Sequence, residues 1–148
     1  MPGKYPSSPY KKTGNIVYFA RMVDKVRLHQ ANELHEDLIA NIGKAFDAYC
    51  CEFLGIRHED LSKKISEGLS YEALLDWSFQ NGNQPTEFQV MLWNGFMTKR
   101  GWQDSLNTIL QKRIAESGLD SRSDVLSMFD YLDADEGRDP LSPKTLRE

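Results

Sequence analysis

Two cations stand at the end of the most apolar segment of this chain. Lys99 and Arg100 follow a run that contains Trp93, and Trp102 comes just after them. Helical periodicity places both cations on the same side as the apolar residues of that run. They either bond the last carbonyls of the helix and favour its dipole, or they are held in a pocket that grips a phosphate or carboxylate. In the second case, Trp93 or Trp102 forms an apolar wall of the pocket.

A second group of charges also has helical spacing, and its members are Arg21, Asp24, Lys25 and Arg27. Arg21 lies one turn before both Asp24 and Lys25, so these three share a face, while Arg27 lies toward its other edge. As exposed pairs they contribute only a few tenths of a kcal/mol each. Alternatively, Asp24 orients one of the arginines toward an anionic ligand.

The acidic stretch near the C-terminal end is the expected internal partner of Lys99 and Arg100. Its spacing begins like that of a calcium loop, but Gly137 comes one position early and Lys144 stands where the bidentate glutamate belongs. We therefore predict a salt-bridge network that joins this stretch to the helix ending at Arg100. The charged residues assigned to the network are Asp133, Asp135, Glu136 and Arg138.

The sequence indicates neither a metal site nor a cofactor site. The three histidines lack ligand spacing, and the chain has no glycine-rich phosphate loop, nucleophile elbow or kinase signature. Adjacent Cys50 and Cys51 cannot connect distant elements, which indicates free thiols in a reducing compartment. An acid/base enzyme would need Asp24 or an acid of residues 133–139 to face a cavity. Because no pair of carboxylates has a fixed spacing on one helix, an enzyme is the weakest hypothesis.

Composition and charge indicate a single cytoplasmic domain. The chain has 148 residues, of which 40% are hydrophobic and 27% are charged, and its net charge is -4. These values are typical of one globular domain, and the mild acidity argues against a general nucleic-acid binder. No apolar run approaches the roughly 20 residues that cross a bilayer. The N-terminus also lacks the hydrophobic core of a signal peptide.

Apolar residues recur at helical spacing along almost the whole chain, and no segment alternates like a strand. We therefore predict an all-α, compact, single-domain bundle of about seven helices in residues 14–138. An extended N-terminal arm, residues 1–13, docks on this domain, and a loose C-terminal tail covers residues 139–148. The helices are expected at about 15–30, 37–54, 58–67, 71–80, 86–100 and 104–117, with a last one after residue 121.

Local signals set several of these boundaries. Gly55 is placed to end one helix in the left-handed conformation, and Gly101 is placed to end another. Ser70 is a good N-cap. Thr86 and Gln89 form a capping box at the start of the helix that ends at Arg100. Apolar residues cover more than half the circumference of that helix, so we expect it near the centre with neighbours on two sides. These apolar residues are Phe88, Val90, Leu92, Trp93, Phe96 and Met97.

Several segments together resemble a small, mostly bacterial family that is known only as a domain of unknown function. The segments have the sequences RMVDKVR (21–27), FLGI (53–56), LLDW (74–77), WNGFMTKRGW (93–102) and DEGR (135–138). The similarity extends from about residue 10 to residue 139. It implies a stand-alone bacterial cytoplasmic protein, and it implies no reaction, cofactor or catalytic residue.

Two functional hypotheses from different classes follow. The leading one is a binding or regulatory module whose cationic pocket holds a phosphate- or carboxylate-bearing ligand, with charge from Arg21, Lys25, Lys99 and Arg100. The alternative is a structural or protein-interaction domain whose charges form internal salt bridges and whose arm or tail docks a partner or a second copy. In both cases no membrane is involved, and self-association remains open.

Overall fold

The computed structural model describes residues 3–138, and the predicted tail at 139–148 lies outside the described residues. This part of the chain is mostly helical, which confirms the predicted fold class. Among these residues the structure has eight helices rather than the expected seven, together with one small sheet. The elements are β1 (Lys12–Thr13), β2 (Ile16–Val17), α1 (Phe19–Gln30), α2 (Glu36–Ile39), α3 (Phe46–Leu54), α4 (His58–Ile65), α5 (Tyr71–Asn81), α6 (Glu87–Lys99), α7 (Asn107–Glu116) and α8 (Met128–Asp135).

A tight hairpin precedes the first helix. Strands β1 and β2 pair antiparallel through a two-residue turn in which Gly14 has a φ of 51° and Asn15 a φ of 67°. Two successive positive φ values are typical of a hairpin turn that matches the twist of its strands. The predicted helix start at residue 15 was therefore wrong, because Ile16 and Val17 belong to β2 and α1 begins at Phe19.

The segment before the hairpin is bound to the domain. Lys4 forms a single parallel bridge with Leu34, and its N–H donates to the Glu33 carbonyl over 2.7 Å. Tyr10 is buried, its hydroxyl donates to Asp130 Oδ1 over 2.6 Å, and its ring packs edge-on against Phe129. The N-terminal segment thus contributes side chains to the core.

The second predicted helix, residues 37–54, is interrupted in the structure. α2 ends at Ile39 and α3 begins at Phe46, and the turn between them contains Gly43 with a φ of 75° and Ala45 with a φ of 53°. A positive φ is unfavourable for alanine. The turn is held by the carboxylate of Asp47, which accepts the Gly43 N–H over 2.9 Å. Helical periodicity continues through this segment, which is why the sequence does not reveal the break.

Apolar side chains form two clusters. The larger one joins α1, α3, α4, α5 and α6 with the hairpin, and the smaller one joins α7 and α8. In α1 the buried residues Met22, Val23 and Val26 follow the predicted stripe. Phe129 of α8 belongs to the larger cluster and packs against Tyr18 and Phe46, so it connects the end of the chain to the N-terminal half.

α6 packs mainly against β2 and α8, and its Trp93 also stacks on Phe53 of α3. The capping box of Thr86 and Gln89 is present, and Gly101 follows the helix with a φ of 101°, so both predicted boundaries are confirmed. The buried apolar side carries Val90, Trp93 and Met97. The other side, which carries Phe88, Met91 and Leu92, is exposed, so the expectation that neighbours cover the helix on two opposite sides was wrong.

Candidate functional site

Arg21 of α1 lies in the interior and pairs with Glu136. Its two terminal nitrogens donate to the two carboxylate oxygens over 2.8 and 2.6 Å, and Nη1 also donates to the Ser7 carbonyl. The side chains of Arg21 and Glu136 are only 2% and 1% exposed. Burial acts to lower the pKa of Arg21, but the hydrogen bonds and charge of Glu136 outweigh it and raise this pKa. Arg21 is therefore a fixed internal cation.

Arg138 joins this pair to the N-terminal segment. It lies 2.5 Å from Glu136 Oε1 and 3.2 Å from Asp133 Oδ1, and it also donates to the Pro6 carbonyl. Asp133 in turn accepts the Ser8 hydroxyl over 3.0 Å. Burial raises the pKa of Asp133, and Ser8 and Arg138 act against this rise. With two cations and two carboxylates, the cluster is balanced in charge.

The acidic stretch thus pairs with α1 and with Arg138. From the sequence we expected it to pair with the helix that ends at Arg100, but the chain folds α8 beside the N-terminal segment instead. Asp135, the remaining acid assigned to the network, is exposed. After burial, its negative charge contributes to the raised pKa values of Tyr5 and Tyr131.

Lys25, one turn after Arg21, pairs with a different carboxylate. Its Nζ lies 3.0 Å from Asp47 Oδ2, and the side chain of Asp47 is completely buried. Asp47 Oδ1 accepts the Tyr18 hydroxyl over 2.6 Å, and Oδ2 accepts the Gly43 N–H. The ring of His58 is next to this cluster, with Nε2 4.0 Å from Oδ2, which is too long for a hydrogen bond.

These groups have shifted pKa values. Burial lowers the pKa of Lys25, although Asp47 acts to raise it. Burial also lowers the pKa of His58 and raises that of Tyr18 well above its ordinary range. The sequence reasoning gave Asp47 no role. The sequence pattern gave no signal, because the large apolar residues Phe46, Tyr49 and Phe53 recur on the other side of this helix. The structure buries the side that carries Asp47, Cys50 and Leu54 instead.

Asp24 and Arg27 meet at the ring of Tyr71. Asp24 accepts the Ser7 N–H over 3.1 Å and the Tyr71 hydroxyl over 2.5 Å. Burial and the hydrogen bond to Asp24 raise the pKa of Tyr71 to about 12. Arg27 donates to the Leu69 carbonyl, and its guanidinium lies 5.1 Å from the centre of the tyrosine ring. Asp24 therefore contacts a tyrosine and a backbone amide, and not an arginine as in the alternative drawn from the sequence.

The two cations at the end of α6 differ in their surroundings. The Lys99 side chain is exposed, whereas Arg100 is largely covered. Arg100 pairs with Asp104 over 3.1 Å, donates to the Ser105 hydroxyl, and lies 5.7 Å from the centre of the Phe96 ring. Its Nε is buried without a hydrogen-bond partner among the residues that the structure describes.

The two tryptophans assigned to the site also lie apart. Trp93 is buried, its ring stacks on Phe53 at 4.6 Å, and its Nε1 donates to the Val17 carbonyl over 3.1 Å. Trp102 is exposed at the surface beyond the end of α6.

The four cations predicted to form one pocket do not converge within residues 3–138. Arg21 and Lys25 are buried against different carboxylates, Arg100 pairs locally, and Lys99 faces solvent. In the same part of the chain, no three His, Cys, Asp or Glu side chains are grouped as a metal site requires. No helix there combines the length and the apolar character that a bilayer crossing needs.

An apolar surface on α6 stands out instead. Four large side chains recur at helical spacing and are half-exposed or more, and we call this set the α6 face. Its members and their exposed fractions are Phe88 (62%), Met91 (60%), Leu92 (54%) and Phe96 (50%). Tyr49 of α3 borders it, and a groove of about 570 Å³ runs along the same side of the helix. Single exposed apolar residues are ordinary, but a contiguous set marks a contact surface.

A second cleft lies between α4 and α5. It has a volume of about 480 Å³ and carries charges of both signs, among them Arg57, Lys63, Lys64, Asp60 and Glu67. Arg57 and Lys63 pair with Glu59, and Lys64 pairs with Glu67. Because these cations are already paired, the cleft offers no concentrated charge of one sign.

Comparison with known proteins gives a family and no activity. No curated protein matches the chain. The family model of the domain of unknown function DUF5069 matches residues 3–138. This range is nearly the whole chain, and it contains every segment that carried the resemblance seen in the sequence. The chain belongs to the DUF5069 family.

Proposed function

We propose that this chain is a protein-interaction domain whose buried charges hold its fold together and whose contact surface is the α6 face. One observation carries the proposal. The helix that supplies Val90, Trp93 and Met97 to the core carries four large apolar side chains on its opposite side. A surface helix normally places polar residues there.

The size of the α6 face fits a binding role. Taking roughly 200 Å² for a large apolar side chain, the exposed fractions correspond to about 450 Å². At about 25 cal/mol per Å², covering this area releases about 11 kcal/mol before the costs of association are subtracted. This area is within the range of the largest apolar patch on a typical monomer, and such a patch is often functional.

The internal charges support the same proposal. An anion that bound Arg21 or Lys25 would have to displace the buried carboxylate of Glu136 or Asp47. Leaving such a carboxylate unpaired in the interior costs several kcal/mol. These cations therefore serve the fold, as the structural hypothesis predicts.

The proposal is tested by placing a photo-crosslinking amino acid at Met91 in cells that produce the full chain. We expect discrete covalent adducts with another polypeptide, and we expect Phe96→Glu to abolish them. The matched control carries the same amino acid at Gln111, an exposed position of α7. The proposal fails if Met91 and Gln111 give the same adducts, or if Phe96→Glu leaves the adducts at Met91 unchanged.

Binding of a small anion is the second candidate function, and one observation favours it. The Nε of Arg100 has no partner within the described residues, and exposed Lys99 precedes it. A thermal-shift screen of phosphorylated metabolites and carboxylates tests this function. A ligand at about 100 times its dissociation constant stabilises by roughly 2.7 kcal/mol. Arg100→Ala should remove the shift, and a screen without hits refutes this candidate.

A further inference from the structure

We infer that the partner of the α6 face is a second copy of this chain, bound through α6 in antiparallel orientation about a twofold axis. This inference rests on the proposed function and names the partner. It starts from the charges at the two ends of α6. By helical spacing Lys99 is in line with Leu92 and Phe96, and Glu87 lies at the margin of the face, one turn before Met91. Glu87 begins α6 and Lys99 ends it, both are exposed, and neither makes an ion pair with another described residue.

These end charges make the face complementary to itself. When two copies of α6 run antiparallel, Glu87 of each lies beside Lys99 of the other, so both ends gain an attractive pair. Parallel packing would bring like charges together at each end. A twofold axis relates identical surfaces, so a single self-complementary face is sufficient for a closed dimer. The axis passes near Leu92, at the middle of the face.

Gly95 provides a second, independent observation. Glycine inside a helix lowers helix stability relative to alanine. Its φ is not positive, and a Cβ placed there would meet no described atom within 4 Å, so the fold does not require glycine at this position. The register that pairs Glu87 with Lys99 also places Met91 opposite Gly95 of the second copy. A missing side chain at that point lets the two helices approach closely.

The area matches that of a dimer interface. With Tyr49 included, the exposed apolar side chains amount to roughly 500 Å² per copy, at about 200 Å² for a full side chain. A standard interface buries about 800 Å² per partner, and roughly 65% of it is apolar in homodimers. The polar side chains of Glu52, Gln89 and Asn83, which line the adjoining groove, supply part of the remainder.

Other occupants fit the observations less well. An apolar segment of a different protein could also cover the face. Such a segment would not explain why the two ends of α6 carry opposite charges, or why the register that pairs Glu87 with Lys99 also places Met91 opposite Gly95. Within the chain itself, residues 139–148 contain only two large apolar residues, Leu141 and Leu146, which is too few to cover four exposed side chains.

Sedimentation equilibrium of the full chain, from micromolar to millimolar concentration, provides the test. We expect a monomer–dimer equilibrium in which Glu87→Lys or Lys99→Glu each raises the dissociation constant about tenfold. The double variant restores attraction at both ends and should return to within about threefold of the original constant. Glu116→Lys makes the same charge change on the exposed side of α7 and is the matched control.

Leu92→Glu is a second route, because it leaves both helix ends unchanged. It places two carboxylates close to the axis on an apolar surface, and we expect it to raise the dissociation constant at least about a hundredfold. Glu87 and Lys99 also favour the helix dipole, so circular dichroism and thermal unfolding must show that each variant is folded.

The outcomes separate this inference from the proposed function. If the chain stays monomeric at all concentrations and the crosslinker at Met91 captures a different protein, the partner is not a second copy. The proposed function is then unaffected. A monomer without specific adducts at Met91 overturns both. Failure of the charge-swapped double variant to recover overturns the antiparallel pairing. An adduct mapped to residues 93–97 of a second copy supports it.

Discussion

Removing the buried cation at position 21 is the strongest test of the structural role of the charges. Arg21→Met takes away one of the two arginines that pair with Glu136 and leaves the interior cluster with one cation and two carboxylates. Breaking a buried pair from one side costs about 3–5 kcal/mol. In a chain of this size each kcal/mol lowers Tm by roughly 2–4 °C. We therefore expect Tm to fall by about 6–20 °C.

Urea denaturation of the double variant separates lost charge balance from lost packing. Arg21→Met combined with Glu136→Gln leaves Arg138 paired with Asp133, so the cluster is neutral again. We expect the double variant to recover at least about 2 kcal/mol relative to the sum of the single losses. The dependence of the free energy on urea should stay unchanged if both states keep their compactness. Arg21→Lys, which keeps the charge but loses the two-point contact, should lie between Arg21→Met and the original chain.

The exposed pair of Arg57 and Glu59 is the matched control. Their side chains are 76% and 64% exposed, with 3.3 Å between Arg57 Nη2 and Glu59 Oε2. Arg57→Met should cost less than about 1 kcal/mol, because solvent screens such pairs. If Arg21→Met is no more destabilising than Arg57→Met, the reasoning about internal charges is wrong. The hypothesis that Arg21 binds an anionic ligand would then be favoured again.

Three further predictions concern single positions. Because burial lowers the pKa of His58 below its ordinary 6.5, the folded chain binds fewer protons near that pH and stability falls as the pH drops. His58→Asn should therefore lose less free energy of unfolding than the original chain between about pH 7.5 and about pH 5.5, as measured by urea titration. Burial raises the pKa of Cys51 to about 12, so its thiolate fraction is roughly a thousandfold below that of an exposed cysteine. A thiol reagent should therefore react with Cys51 only after the chain unfolds. Gly95→Ala should raise the free energy of unfolding by about 0.5–1 kcal/mol and should weaken self-association. If the variant is both more stable and more strongly dimeric, the two helices do not approach closely at this position.

Local chemistry predicted some of the helix boundaries, but the last helix, expected after residue 121, begins only at Met128. Ser70 caps α5, Thr86 and Gln89 cap α6, and Gly55 adopts the left-handed conformation after α3. Each of these signals acts within a few residues, so no knowledge of the tertiary structure is needed. The hairpin at Gly14 and Asn15 is different, because its strands have only two residues each and are too short to show alternation.

The break between α2 and α3 depends on tertiary structure. Its positive φ at Ala45 goes against local preference, and the carboxylate of Asp47 holds the turn through contacts with Tyr18, Gly43 and Lys25. Two of these partners lie more than twenty residues away in the chain. A local pattern does not contain such a constraint, so the sequence predicted one continuous helix.

The sequence predicted that the charges are paired, but it did not predict which residue pairs with which. The sequence indicates that charges on helix faces with apolar neighbours need counterions, and Arg21 and Lys25 do have them. Which carboxylate serves which cation depends on how distant helices meet. Arg21 and Glu136 are 115 positions apart, and no spacing rule connects them.

The orientation of α6 explains why its apolar residues were misjudged from the sequence. Both sides of the helix are apolar, and the side that contains Asn94 and Thr98 has the more polar composition, yet that side is buried. Asn94 accepts the Val17 N–H and donates to the Asn15 carbonyl, so it satisfies the backbone of the hairpin. Thr98 donates to the Asn94 carbonyl one turn back. Because the hairpin satisfies Asn94 and the helix backbone satisfies Thr98, burying the more polar side costs little, and the more apolar side is left exposed.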